Sequence, residues 1–420
     1  MRRKMKTIRN LFKQDKEKFV PPKGVQDCIP IKTIYKDGIF ETSKNKFSKC
    51  FRFTDINYAV ASRPDKEAMF LDYSELLNSL DPGATSKITV LNRRLNRVDF
   101  EKNIMIPKAN DNLDEYRDEY NKMLLDKALG SNSIIQEKFL TISVNKKSYE
   151  EAKTYFSRIS ADLSNHFNAL GSRCIELDAT DRLRLAHDFY RVGEENIFTW
   201  DMLDNMRKGH SFKDYISPDS FKFEKDYFEM GNKFGRVFFL KDYASYIKDD
   251  MVAELTDLNR NLMLSIDIIP IPMDEAIREV ENRRLGVETN ITNWQRRQNN
   301  NNNFSAVIPY DMEQQRKESK EFLDDLTTRD QRMFVCVLTM VLLADNKEQL
   351  DLDTESLLAT GRKHLCQLAI LKWQQKDGLN TAMPHGVRKI NALRTLTTES
   401  LAVFMPFRVQ EINHENGIYY

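Results

Sequence analysis

The sequence predicts an α+β fold in which mixed sheets are covered by amphipathic helices. Three observations predict it. A strand–helix–strand–helix order occurs twice, about 195 residues apart, and reads as two repeats of split βαβ type. The helical segments carry apolar residues at spacings of three, four and seven, which gives each a single apolar face. A chain of 420 residues with 41% apolar and 30% charged side chains can bury two or three cores under a charged surface. The expected divisions are a basic flexible tail (1–24), a first α+β subdomain (25–205) and a second (206–420), with the seam near Asp201 to Ser217.

Met1 to Lys18 carries eight Lys or Arg against two acids, and no apolar core of signal-peptide length follows. A solvated tail is the expectation, ended by Pro21, Pro22 and Gly24. Gly38 to Ala61 should be extended, with Phe40, Phe47, Phe51, Phe53, Ile56 and Tyr58 and turns at Asp37-Gly38 and Lys44-Asn45. Arg63-Pro64-Asp65 opens a helix faced by Met69, Tyr73, Leu76, Leu77 and Leu80, and Asp81-Pro82-Gly83 stops it. Lys87 to Leu91 is a short strand. Leu113, Tyr116, Tyr120, Met123 and Leu124 mark the next helix, closed by Gly130. Phe139 to Val144 alternates as a strand. Ser148 and Glu151 then have the spacing of a capping box, before a helix faced by Ala152, Tyr155, Phe156, Ile159, Leu163, Phe167 and Leu170. Gly171 ends that helix, Cys174 to Leu177 returns as a strand, and Asp181 to Tyr190 is helical.

In the second half, Phe221 to Tyr227 and Arg236 to Leu240 read as a hairpin joined around Gly231 and Gly235. Leu262 to Ile269 is a strand ended by Pro270 and Pro272. A polar helix runs from Asp274 to Arg297 and into the asparagines 299–303, a flexible break because asparagine competes for its own backbone. A helix from Asp311 leads to a strand at Phe334 to Leu343. That strand lies in the longest apolar run, Met333 to Ala344, which is too short to span a bilayer. Lys347 to Ala359 is helical, Leu365 to Leu371 is a strand, and Trp373 and Gln374 begin the next element.

Acids and bases nearly cancel, 63 against 64, so the charge leaves no footprint of a nucleic-acid binder despite Arg93-Arg94 and Arg296-Arg297. Five scattered cysteines without a CxxC pair point to reduced thiols, with Cys174 and Cys336 packed in apolar surroundings. No GxxxxGK[ST], HExxH, GxSxG or GxGxxG pattern occurs. Ala359-Thr360-Gly361-Arg362-Lys363 lacks the leading glycine and the Lys-Ser/Thr pair of a phosphate loop, and reads as a basic helix end. His166 is expected on a half-exposed helix flank, and His187-Asp188 cannot form a triad or metal site unaided. Asp267, the one carboxylate in an apolar run, is expected to face solvent on its alternating strand. With no catalytic constellation, the chain reads as a scaffold or interaction region. A self-contained enzyme with a dispersed site and a DNA-handling module are the competing classes.

Leu365 to Asn380 reads LCQLAILKWQQKDGLN, and Thr381 to Gly386 reads TAMPHG. A Leu-x-x-Gln-Gln-x-x-Gly-Leu segment followed by Met-Pro and a nearby Gly resembles the CagE/TrbE/VirB family of type IV secretion (conjugal transfer) ATPases. Met333 to Asn346 is similar to the strand upstream of that segment. Phe53 to Tyr58 resembles the opening of the conjugal-transfer members. Thr395 to Ala402, Phe404 to Phe407 and Gly417 to Tyr420 are similar to the short helix, Pro-Phe stretch and Gly-x-Tyr-Tyr turn that follow in the family.

The resemblance implies the amino-terminal region of such a protein. That region is a docking and assembly domain of a cytoplasmic ATPase that energises conjugative secretion of DNA or protein. It would lie peripherally at the inner face of a bacterial cell membrane, bind inner-membrane components of the channel, self-associate, and leave nucleic acid alone. ATP and Mg are expected only in a nucleotide-binding domain beyond Tyr420, so this chain, taken as a truncation, carries no cofactor and is not expected to be active alone. The motif residues are Gln374, Gln375, Gly378, Pro384 and Gly386, with a structural role expected for them. Gly378 and Pro384 would punctuate a loop, and the glutamines would cap or bridge backbone.

Overall fold

The computed structural model describes residues 22–94, 105–130, 134–243, 249–258, 260–301 and 307–408. The expected tail up to residue 21, Asn302 and Asn303 of the asparagine run and the Gly417–Tyr420 turn lie outside them. Strand β1 (Thr33–Ile34) passes to β2 (Phe40–Ser43) across Gly38, whose φ of +78° suits glycine, and Asn45 (φ +64°) turns β2 into β3 (Lys46–Phe53). Ser62 accepts from the Asp65 amide and starts α1 (Arg63–Ser79), with Pro64 in its first turn. β4 (Ala84–Arg94) is longer than the expected Lys87–Leu91 because it pairs residue for residue with β5 (Ile134–Asn145); α2 (Asp114–Gly130) lies between them. α3 (Tyr149–Ala169) begins where Ser148 accepts from the Glu151 amide. The capping box is not reciprocal, since Glu151 takes the Lys147 amide. β6 (Cys174–Glu176) pairs with the end of β3, and α4 (Ala179–Tyr190) follows.

α5 (Met202–Lys208) and α6 (Phe212–Ile216) lead to the second half. There β7 (Phe221–Phe223), β8 (Phe228–Met230) and β9 (Lys233–Asp242) form a three-stranded meander in place of the single hairpin expected. Gly231 (φ +57°) makes the turn, whereas Gly235 lies within β9, where the Phe228 ring covers it. α7 (Met251–Leu255) precedes β10 (Asn261–Pro270), and α8 (Met273–Asn300) packs with α9 (Tyr310–Thr328). α8 takes in Asn299 and Asn300, so the helix runs further than the expected break. β11 (Met333–Ala344) is buried along all its residues. α10 (Lys347–Lys363), β12 (Gln367–Ile370), α11 (Gln375–Ala382), β13 (Arg394–Thr397) and α12 (Thr398–Ala402) complete the order.

These strands form one antiparallel sheet rather than several mixed ones, within an α+β fold. Its order, β1-β2-β3-β5-β4-β10-β11-β9-β8-β7, reads the same way from both ends: β4 answers β10, β5 answers β11, and β3 answers β9. β6 and β12 occupy matching places on β3 and β9. The repeat seen in the sequence is thus two similar half-sheets, joined where β4 pairs with β10 around Ile88–Ile266 and Thr89–Ser265.

Alternation sends Ile88, Val90, Leu140, Ile142, Leu264, Ile266, Leu338 and Met340 to one face, which α1, α3, α7, α10 and α12 cover. The opposite face carries Cys50, Phe139, Met263, Val337 and Val341, and α4, α6 and α11 lie over it. No helix among the described residues is long and apolar enough to cross a membrane.

The close fit of Gly235 is directly testable. A Cβ there would collide with the ring of Phe228, which is fully buried and cannot swing away. Gly235→Ala is therefore expected to lower unfolding stability by about 1–3 kcal/mol, read as a shifted denaturant midpoint.

Candidate functional site

The motif segment follows α11 and crosses the second face of the sheet as a buried strap. Every carbonyl from Thr381 to Val387 accepts a hydrogen bond from a side chain of the sheet or of α4. Lys87 Nζ donates to Thr381 O, to Met383 O (3.2 Å) and to Val387 O (2.9 Å). Ser265 Oγ donates to Ala382 O, Ser48 Oγ to His385 O (2.7 Å) and Ser143 Oγ to Gly386 O (2.9 Å). Pro384 O accepts from Arg182 (3.1 Å) and Thr141 (3.4 Å). Buried backbone needs such partners, and here side chains supply what a neighbouring strand would otherwise give.

Two buried cations anchor the strap. Lys87 stands opposite Asp267 in the β4–β10 register, with Nζ 3.4 Å from Oδ1 and both side chains 2% exposed. Asp267 does not face solvent as its alternation suggested, because both faces of the sheet are covered. Burial pushes its carboxyl up against the pull of Lys87 and Arg388, and its Oδ2 accepts no hydrogen bond among the described residues. Arg182 donates to Gly38 O and Ser48 O at 2.8 Å and lies over the Phe40 ring. Burial lowers it to about 10.

The motif residues separate into distinct roles. Gln375 is buried and bridges backbone: its Oε1 accepts from Val237 N (2.9 Å) and its Nε2 donates to Leu371 O. Gln374 is exposed, and its side chain does not cap α11. Gly378 is inside α11 rather than in a loop; a Cβ would lie 2.5 Å from Leu371 and 2.6 Å from Val237, so the glycine lets α11 sit close on β9. Pro384 belongs to the strap. Gly386 has φ +87° and leaves no room for a Cβ beside Ser48 and Ser143. Trp373, by contrast, is 77% exposed.

Other sequence candidates do not converge on this strap. Ala359–Lys363 forms the end of α10, a helical turn that cannot wrap a phosphate. His187 is buried beside Asp188 (3.2 Å) and against Phe198. Cys336 is buried, while Cys174 is only half-buried because its strand, β6, lies at the rim. Thr395–Ala402 is split between β13 and α12, and the Pro-Phe stretch after it packs Phe404 and Phe407 into the core. Lys87, Arg182 and the serines were not singled out from the sequence. For Lys87 and the serines the signal was a polar residue at every second position of strands apolar on the other side; Arg182 lies on α4. The chain matches no protein-family model and no curated protein.

Two outcomes follow from the strap. Lys87→Met strands the Asp267 carboxylate and three carbonyls, and should cost about 3–5 kcal/mol in chemical denaturation; adding Asp267→Leu should recover part of that loss. His385 is also buried, its Nε2 3.2 Å from the Tyr190 hydroxyl. Burial, with Arg182 and Lys87 nearby, holds it well below its ordinary 6.5. The unfolded chain then binds a proton below pH 6.5 that the folded chain refuses. Stability should be unaffected above that pH and fall by up to about 1.4 kcal/mol per pH unit beneath it. His385→Gln should flatten that slope in melts between pH 7.5 and 5.

Proposed function

We propose that this chain is the docking and assembly region of a cytoplasmic ATPase that energises conjugative type IV secretion, with ATP hydrolysis carried by a separate nucleotide-binding domain. The observation that carries the reading is the run from Leu365 to Gly386. Its sequence resembles that family, and its residues serve as framework. Gln375, Gly378 and Gly386 hold strap and helix to the sheet, and all three are buried in that packing. A scaffold role fits a region that places other components.

Docking needs surface that is both exposed and apolar. α2 supplies one, with Tyr116 67%, Tyr120 47% and Met123 48% exposed. Such a stripe suits small apolar membrane components of the channel, at the cytoplasmic side of the inner membrane.

The chain alone is expected to hydrolyse no ATP above a protein-free control. It should be recovered with inner membranes only from cells that carry the conjugation channel. Tyr116→Ser with Tyr120→Ser should reduce that recovery several-fold while leaving the thermal melt unchanged, because both side chains already face solvent. ATP turnover by the chain alone, or equal recovery from cells without the channel, would overturn the reading.

A further inference from the structure

Away from the strap, three potential ligands meet where α7 abuts the end of α10. Asp250 is the N-cap of α7, Glu254 lies four residues on along the same helix, and His364 caps the C-terminus of α10. One ligand atom from each lies within 4.8 Å of the other two. His364 Nε2 is 3.0 Å from Glu254 Oε2, and Nδ1 is 3.7 Å from Asp250 Oδ1. The imidazole is 4% exposed, so packing fixes its direction.

Two details distinguish this group from a surface cluster of charges. Aspartate at an N-cap ordinarily accepts from its own helix, yet the Asp250 side chain makes no such bond and stands by the imidazole. Its 3.7 Å spacing to Nδ1 is too long for a hydrogen bond. It is close to the separation of two ligands that share an ion, about 3.4 Å for tetrahedral bonds of about 2.1 Å. The same carboxylates also line a pocket of about 320 Å³ that includes Asp249, Asp257, Tyr58 and Phe407. One side of the cluster thus faces a space that can admit an ion and the water completing its shell.

The geometry points to a binding site for a divalent transition-metal ion, held by Asp250 and Nδ1 of His364, with the Glu254 carboxylate turning from Nε2 to join them. The imidazole favours Zn²⁺ or Mn²⁺ over Mg²⁺, which prefers an all-oxygen shell. Lys363 is the built-in competitor. Its ammonium lies 2.7 Å from both Glu254 oxygens, and its side chain is 66% exposed and free to leave. An ion entering the site displaces that ammonium from the Glu254 carboxylate.

The test is calorimetric titration of the whole chain with Zn²⁺, with Mn²⁺ and, as control, with Mg²⁺. One saturable transition-metal site per chain is expected. His364→Ala and the half-exposed Asp250→Asn should each weaken it by more than about tenfold, with circular dichroism confirming that both variants are folded. Lys363→Met should tighten binding several-fold, an effect that an ion pair without metal function cannot produce. No saturable binding, or binding equal in wild type and His364→Ala (an adventitious ion only), overturns the site. Weaker binding in Lys363→Met overturns it as well.

Discussion

Where β4 meets β10 at the middle of the sheet, an ammonium and a carboxylate face each other with almost no water. A lysine in that position is costly unless its three protons find acceptors. Asp267 supplies one partner, and the carbonyls of Thr381, Met383 and Val387 supply the rest. The dependence is mutual. The strap has no strand beside it to satisfy its carbonyls, so it can be buried only over side chains that donate. The polar stripe of Ser48, Thr141, Ser143, Ser265 and Lys87 and the irregular course of residues 381–387 are therefore one solution to one constraint.

That constraint also ties the halves together. The strap leaves α11 in the second half, but Ser48, Lys87, Thr141, Ser143 and Arg182 all belong to the first. The β4–β10 ladder joins the halves through backbone, and the strap joins them again through side chains. It is also where their likeness breaks. α11 continues into a strap across the sheet, whereas its counterpart α4 continues into α5 and α6. A near-symmetric frame acquires one direction from this single segment.

Much of the frame was legible because alternation and helical spacing report burial one element at a time. α1, α3, α4, β10 and β11 stand close to where their apolar residues and stop signals placed them. The joining of two half-sheets into one was not legible, since no local pattern says that β4 will pair with a strand 170 or more residues away. The hairpin around Gly231 and Gly235 failed for a related reason. Glycine marks both a turn and a close approach, and only the Phe228 ring shows that Gly235 is the second kind. Gly378 was misplaced in a loop on the same ambiguity. Asp267 was set facing solvent because alternation reports which face a residue takes and not what covers that face. The group at Asp250, Glu254 and His364 left no trace, its members being drawn together across 110 residues by α7 and α10.

The remaining asymmetry lies in the two long connections. β4 runs to β5 through α2, and β10 runs to β11 through α8 and α9, at matching places in the two halves. Because β4 and β10 are antiparallel, these connections leave opposite ends of the sheet. A connection outside the ladder can change length and composition at little cost to the core. Here the two have diverged in chemistry, α2 exposing Tyr116, Tyr120 and Met123 while α8 and α9 expose mostly polar and charged side chains. A strictly symmetric protein would offer the same surface at both ends and could not tell one end from the other. A fixed sheet with two unlike extensions can, because the strap and the β4–β10 ladder hold those ends in a set relation while their surfaces remain free to specialise.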